Sequence, residues 1–483
     1  MTTLTPLTRL VRRRATASLV TLALTVAAVT GCSATGAGTT DASSGEASAT
    51  TAVGTVWDPT TVHEVSLTLD DDAVAEMLAT YAATGEKEWI SADLTVDGTT
   101  LRDVGVRLKG NSSLRGVDED SDPVDLPWLI DTDQFVDGQR LEGWEAFVIR
   151  SNVTETALNE AVALDLLEEA GLASQEAVAT RFSVNGGEAT LRLMVQDLDT
   201  RWYEATFGTR DGTLYKAEAG GDWSYRGDEA SAYEDVFDVE AGTEDYVPLT
   251  DFLQWINESS DEEFAAGLAD RLDVQAFADY LAVQELIGNF DDIDGPGNNA
   301  FLRWDPDTGL MTVVAWDHNL AFGAMPGGGG RGFGDRGVTP PDGFEPPEGM
   351  TPPPEGFERP EGFEPPEGLE RPEGFEPPEG LELPEGFERP DGMPGDRLAG
   401  GPGGSNVLAE RFRDTPAFAA LYDDALERLR GELVEDGTAA DLLDAWVTVL
   451  TEEAQDLVDA GTVAAESEQI ASFLEQDTET DDT

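Results

Sequence analysis

Cysteine is almost absent from this chain of 483 residues: Cys32 is the single thiol. That excludes an intrachain disulfide framework and any cysteine-based zinc site. Positive charge is scarce as well. Twenty-nine Lys and Arg stand against 98 Asp and Glu, for a formal net charge of −69. A chain this acidic repels the phosphate backbone and anionic surfaces, so nucleic acid is not among its expected partners. The acidity reads as the solvating surface of an exported or salt-adapted protein rather than as the imprint of one cationic partner. What is present suffices for a core: 40% of residues are hydrophobic, with ten Trp and twenty Phe. The length allows one large or two ordinary domains.

The first 32 residues read as a targeting segment. Arg9, Arg12, Arg13 and Arg14 form a basic start, and the apolar run 19–29 is too short to cross a bilayer comfortably. It ends in Val29-Thr30-Gly31-Cys32, a bacterial lipobox pattern in which small residues fit the signal peptidase and the Cys32 thiol takes the lipid. The expectation is an extracytoplasmic protein, lipid-anchored to the outer face of the cell membrane and touching the membrane only there. Residues 33–53, rich in Ser, Thr, Gly and Ala, read as a flexible tether.

Beyond it, alternating patterns predict strands over 63–70, 92–97, 101–109, 178–184 and 191–195, with a hairpin turn at Asn185-Gly186. A helix is predicted over 156–170, stopped by Gly171. Helices follow over 249–287, with a capping box at Ser260–Glu263 and an N-cap at Asp273. Strands 301–304 and 310–316 flank the turn residues 305–309, and further helices begin at Thr415-Pro416 and span 439–474. Residues 326–404 differ in kind: a glycine run, then P-E-G-F-E-[PR] about every six residues. Proline at that density blocks helix and ladder, and the acids repel, so an extended disordered insertion is expected, serving as a spacer or a partner-binding arm.

Two clusters could carry chemistry. In V-G-V-R-L-K-G-N-S-S (104–113) a strand delivers Arg107 and Lys109 and breaks at Gly110, a way to present charge and backbone N–H groups to phosphates. In N-F-D-D-I-D-G-P-G-N-N (289–299), acids and amides follow a helix, and Asp317 follows an apolar strand eighteen residues after Asn299. Two strands joined by a tight turn would return Asn299 and Asp317 to one place. Their oxygen ligands suit Mg²⁺ or Mn²⁺. An EF-hand is excluded by phase, because the Glu that should close the loop is missing. The step from Asp294 to Asn299 equals that between catalytic Asp and metal-binding Asn in the protein-kinase H-R-D-x-x-x-x-N loop, and Asp317, after a strand, then stands in the place of the metal-binding DFG aspartate.

The chain resembles the CotH kinase-like family, named for a spore-coat protein kinase. Seven ordered pieces between Val56 and Leu433 carry the resemblance: 104–113, F-V-I-R-S-N (147–152), N-G (185–186), L-Y-K (214–216), 289–299, W-D-H-N-L-A-F-G (316–323) and N-V-L-A-E-R-F (406–412). It implies an α+β, atypical protein-kinase-like fold with a β-rich N-terminal part and a helical C-terminal part. One domain would be assembled from 54–325 and 405–475, interrupted by the insertion and trailed by an acidic tail, 476–483. It also implies phosphate transfer from ATP to Ser or Thr of a secreted or surface protein, with Mg²⁺ or Mn²⁺ bound by Asn299 and Asp317.

For the catalytic aspartate two positions compete. The N-x-D pattern points to Asp291 and the five-residue step to Asp294, which is preferred. Lys109 is the phosphate-binding lysine, supported by Arg107, with Lys216 as second choice; Glu160 on the 156–170 helix is a candidate partner for that lysine. Departures from the family pattern are Ala315 and Asn319, where P-W-D-x-D is frequent, and Gln196, where Glu is common. They support a second reading, a non-catalytic surface-binding or adhesion lipoprotein on the same scaffold. Asp317→Ala is expected to abolish transfer at little cost in stability, its neighbours being read as turn residues.

Overall fold

The computed structural model describes residues 55–218, 221–295, 298–324 and 406–479. The targeting segment with Cys32, the tether 33–53 and the insertion 326–404 lie outside the described residues. No described helix is long and apolar enough to cross a membrane.

The N-terminal part is a seven-stranded barrel. In chain order its elements are β1 (His63–Leu69), α1 (Asp71–Thr84), β2 (Ile90–Val96), β3 (Thr99–Leu108), β4 (Trp128–Asp131), β5 (Ala146–Ile149), α2 (Leu158–Glu169), β6 (Ala177–Val184) and β7 (Thr190–Gln196). The strands close in the order β1-β2-β3-β4-β5-β7-β6, antiparallel except for the parallel pair β1–β6 that seals the ring. Tight turns set the registers. Asp97-Gly98 between β2 and β3, and Asn185-Gly186 between β6 and β7, both take left-handed conformations at two successive residues. That geometry matches the twist of the flanking strands. Asn185 does more than turn: its Oδ1 accepts from Leu69 N at 2.7 Å, tying the hairpin to the end of β1.

Strand burial follows from position. β1 alternates buried and exposed residues, as a strand with one wet face must. All four residues of β5 are buried because its inner face packs Phe147 and Ile149 into the barrel while its outer face packs Val148 against α2. Helix α2 is buried at nine of its twelve positions, Asn159 and Glu160 included. A helix with no polar stripe is a core helix.

The C-terminal part continues with α3 (Thr200–Phe207), β8 (Thr213–Ala217), β9 (Phe237–Gly242), α4 (Val247–Glu258), α5 (Asp261–Gly267), α6 (Val274–Leu286), β10 (Ala300–Asp305) and β11 (Leu310–Ala315). The four strands form one antiparallel sheet in the order β11-β10-β8-β9. After the insertion come α7 (Val407–Asp414), α8 (Pro416–Leu429), α9 (Thr438–Glu453) and α10 (Ala460–Glu479). Helix α8 packs on α6, and α9 on α2, where Trp446 donates its indole N–H to Asp165 at 2.8 Å. The expected α+β organisation, β-rich first and helical last, is the one observed.

The final helical stretch is broken in two at 454–459, a break its periodicity does not announce. Arg181 of β6 explains it: its guanidinium binds Asp456 at 2.6 and 2.9 Å and the Glu453 carbonyl at 3.2 Å. A carbonyl left unpaired at a helix end is thus satisfied by a distant strand. Helix α10 then runs to Glu479, taking in the first four residues of the expected tail, and residues 480–483 lie outside the described residues.

Candidate functional site

The β10–β11 hairpin pairs Ala300 with Ala315, so Asn299 enters the hairpin and Asp317 leaves it at the same end. Both flanks are held in uncommon backbone conformations: Asn298 at φ 51° and Asp317 at φ 61°. Asn298 is fixed by structure, donating to the Glu218 carbonyl at 2.9 Å and accepting the Trp223 indole N–H at 2.8 Å. Asn299 turns the other way. Its Nδ2 donates to the Asp291 carbonyl at 2.8 Å and to Asp291 Oδ2 at 3.0 Å. The loop after α6 is coiled tightly enough that a Cβ on Gly295 would lie 1.8 Å from the Phe290 carbonyl oxygen, which demands glycine there.

The two candidate aspartates have different surroundings. Asp294 is paired with Arg413 of α7 at 2.8 Å, an ion pair joining the loop to the helices beyond the insertion. Asp291 faces Asp317. Burial, then the Asp317 charge, raises its pKa above the ordinary carboxylate value; the Asn299 hydrogen bond and Arg115 oppose the shift. The Asp294 carboxylate is thus engaged in an ion pair, whereas Asp291 is held beside Asn299.

Asp317 connects this loop to the barrel. Its Oδ1 lies 3.2 Å from Arg150, which follows β5, yet accepts no hydrogen bond and is buried. Arg150 is also ion-paired to Glu160 in the first turn of α2. Burial opposes the Arg150 charge, but Glu160, Asp317 and Asp197 outweigh it and raise its pKa. The pKa of Glu160 also rises, here through burial itself, which outweighs Arg150 and moves its carboxyl up to about 7. With several carboxylates around it the guanidinium keeps its charge, and Glu160 is the member whose proton is labile near neutrality. The Trp316 ring carries two cations, Arg150 Cζ and Lys109 Nζ, each 5.4 Å from its centroid. Lys109, just past the end of β3, binds Asp197 at 2.8 Å. Asn299 is hydrogen-bonded to Asp291, which feels the Asp317 charge, and direct contacts then run from Asp317 through Arg150, Trp316 and Lys109 to Asp197.

The expected pairing of Glu160 with the phosphate lysine is not what the structure contains. Glu160 faces Arg150, and Lys109 takes Asp197 at the end of β7. Gln196, beside it, is buried and accepts the Glu176 N–H at 2.9 Å. Lys216 on β8 binds Glu218 at 2.5 Å, with Glu240 at 3.8 Å. Arg107 lies over Trp89 at 4.9 Å. His318 is buried with Gln284 3.1 Å from Nε2, and burial, then Arg150, lowers its pKa to about 3, so it stays neutral. Arg150, Asp197 and Trp316 gained no role from sequence reasoning. Arg150 and Trp316 do lie inside the quoted pieces 147–152 and 316–323, so the signal was there to find; Asp197 has none beyond its place next to Gln196.

The donor set fits a hard cation. Asp317 offers a buried oxygen without a hydrogen bond, and Asn299, whose amide N–H groups are spent on Asp291, leaves its Oδ1 for an ion. Among the described residues no three or more His, Cys, Asp or Glu side chains gather as a metal-binding group. An ion here would rest on the Asp317 carboxylate, the Asn299 amide, phosphate oxygens and water, as Mg²⁺ characteristically does.

A family model described as CotH kinase protein matches residues 106–357, more than half of the chain. The chain belongs to the CotH kinase protein family. The match begins inside β3 and leaves β1 and β2 outside, although β1 pairs with both β2 and β6 and the barrel cannot close without it. No curated protein matches the chain.

Proposed function

We propose that this CotH-family chain is an extracytoplasmic, metal-dependent protein kinase of atypical kinase-like fold, moving the γ-phosphoryl group of ATP to Ser or Thr of a secreted or surface protein. The reading is supported by the β10–β11 register, which brings Asn299 and Asp317 to the same end of one hairpin, by the Asn299–Asp291 hydrogen bonds, and by the contacts from Asp317 through Arg150 and the Trp316 face to Lys109. Asp291 is the proton acceptor: a carboxylate whose pKa is raised is a better base than an ordinary one. It takes the hydroxyl proton as the acceptor oxygen bonds to the γ-phosphorus, the bond to the bridging oxygen breaks, and ADP leaves. Asn299 and Asp317 would hold Mg²⁺ or Mn²⁺, which neutralises charge on the phosphates when bound. Lys109 exchanges Asp197 for a phosphate oxygen, and Arg150 keeps the Asp317 carboxylate oriented.

The test is transfer of labelled phosphate from ATP to a panel of secreted proteins, with Mn²⁺ or Mg²⁺. Asp291→Asn is expected to lower the rate about 10²- to 10⁴-fold, whereas Asp294→Asn stays within a few-fold and loses only about 1 kcal/mol with its half-buried ion pair. The reverse ranking would reinstate Asp294. The adhesion reading draws on one observation, that Lys109 and Lys216 already hold carboxylates; nucleotide-independent folding with no transfer to any acceptor would favour it. The membrane anchor is tested separately. Labelled palmitate should enter the wild-type chain in a bacterial host and be lost in Cys32→Ala, and label that persists in that variant refutes the lipobox.

A further inference from the structure

Lys87, in the segment between α1 and β2, precedes the stretch matched by the family model and belongs to none of the motifs noted above. Its Nζ donates to the Gly110 carbonyl at 2.5 Å. Gly110 immediately follows Lys109, sits at φ +104°, and would place a Cβ 2.0 Å from Ser113 Oγ. Lys87 therefore grips the turn that starts where β3 delivers its lysine. Burial, then repulsion by Arg107, Lys216 and Lys109, outweighs the attraction of Glu218 and lowers the Lys87 pKa below that of an ordinary lysine.

The four cations differ in their counter-charges. Lys109 has Asp197, and Lys216 has Glu218 and Glu240. Among the described residues neither Lys87 nor Arg107 has an ion pair, and the buried Arg107 Nε has no acceptor. In a chain carrying 98 acids and 29 Lys and Arg, two neighbouring cations without an ion pair, one of them reached only by the charge of Glu218, which Lys216 already holds, mark a place able to take an anion.

We propose that Lys87, with Arg107, binds the distal phosphates of the nucleoside triphosphate and anchors them to the Gly110 turn beside Lys109. The inference rests on the donor-site reading and adds a residue to it. Lys87 carries two duties, its backbone bond to Gly110 and the phosphate, and its three donor hydrogens permit both. Charge-assisted contacts of this kind are strong where water is partly excluded.

The experiment is calorimetric titration of the full chain with ATP, inorganic tripolyphosphate and AMP, for wild type, Lys87→Ala and Lys87→Arg. Lys87→Ala should weaken ATP and tripolyphosphate about tenfold and leave AMP unchanged, while Lys87→Arg retains most of the affinity. If the wild type binds neither ATP nor tripolyphosphate, the donor-site reading itself falls and this inference with it. If the wild type binds and Lys87→Ala binds equally well, the inference alone is overturned. Equal loss for AMP and ATP, accompanied by a lower melting temperature, would make Lys87 merely a brace for the turn and likewise overturn it. Unchanged nucleotide affinity with weaker binding of an acidic acceptor peptide would move the cations to the acceptor side, and refutes the assignment to the donor.

Discussion

Asp317→Asn is expected to lower phosphate transfer by about 10²- to 10³-fold or more, the scale for removing one preorganised electrostatic contact, while the protein remains folded. Asparagine keeps the side-chain shape and tolerates the left-handed backbone at φ 61°, but it lacks the charge an ion would draw on. Alanine is the poorer probe. The expectation of a nearly free Asp317→Ala rested on turn-like neighbours, yet Trp316 is 8% and His318 0% exposed, and Asp317 balances a buried guanidinium. Alanine at a left-handed position adds about 1 kcal/mol or more of strain, so lost activity and lost stability would be confounded. Transfer by Asp317→Asn within about threefold of wild type would remove Asp317 from the metal role.

Arg150→Met is expected to cost about 3–5 kcal/mol in denaturant unfolding at pH 7.5, because it leaves Glu160 buried without its cation. A shift below about 1 kcal/mol would mean the network is hydrated and contributes little. The pH dependence has a definite sign. The folded-state pKa of Glu160, about 7, lies above its ordinary value of 4.5, so between those values the folded protein binds more protons than the unfolded chain. The favourable contribution of the neutral acid is present below about 4.5 and is lost as pH rises through 7. Without Arg150 the folded pKa rises further and the loss extends to higher pH. The deficit of Arg150→Met should therefore deepen from pH 5 to pH 8, and Arg150→Met/Glu160→Gln should recover much of it. A deficit independent of pH would place the damage in packing rather than in the buried charge.

How much of this was legible in the sequence differs from element to element. The hairpins at 97–98 and 185–186 follow from residues able to adopt positive φ, and the capping box of α5 was visible as Ser260 and Glu263, which bond each other in the structure. Local chemistry decides such features within a few residues. Strands β4 and β5 escaped because four-residue runs buried on both faces show no alternation. Helix α1 escaped although Asp70 caps it and Gly85 ends it, its alanine-rich sequence presenting only a weak apolar stripe. In the site, the meeting of Asn299 and Asp317 was foreseeable from a single hairpin. The surroundings that distinguish Asp291 from Asp294 were not, because Arg413, the partner of Asp294, is contributed by a helix on the far side of the insertion.

By itself the sequence determined the strongly acidic balance, the lone thiol, the local turns and caps, and the ordered motifs that place the chain among the CotH proteins. All of these are properties of residue types at short spacing. The tertiary structure alone decided which charges face one another: Lys109 with Asp197, Arg150 with Glu160 and Asp317, and Lys87 on the Gly110 turn. Those partners come from separate strands and helices, and only closure of the barrel and its packing on α2 remove enough water for the pairings to matter.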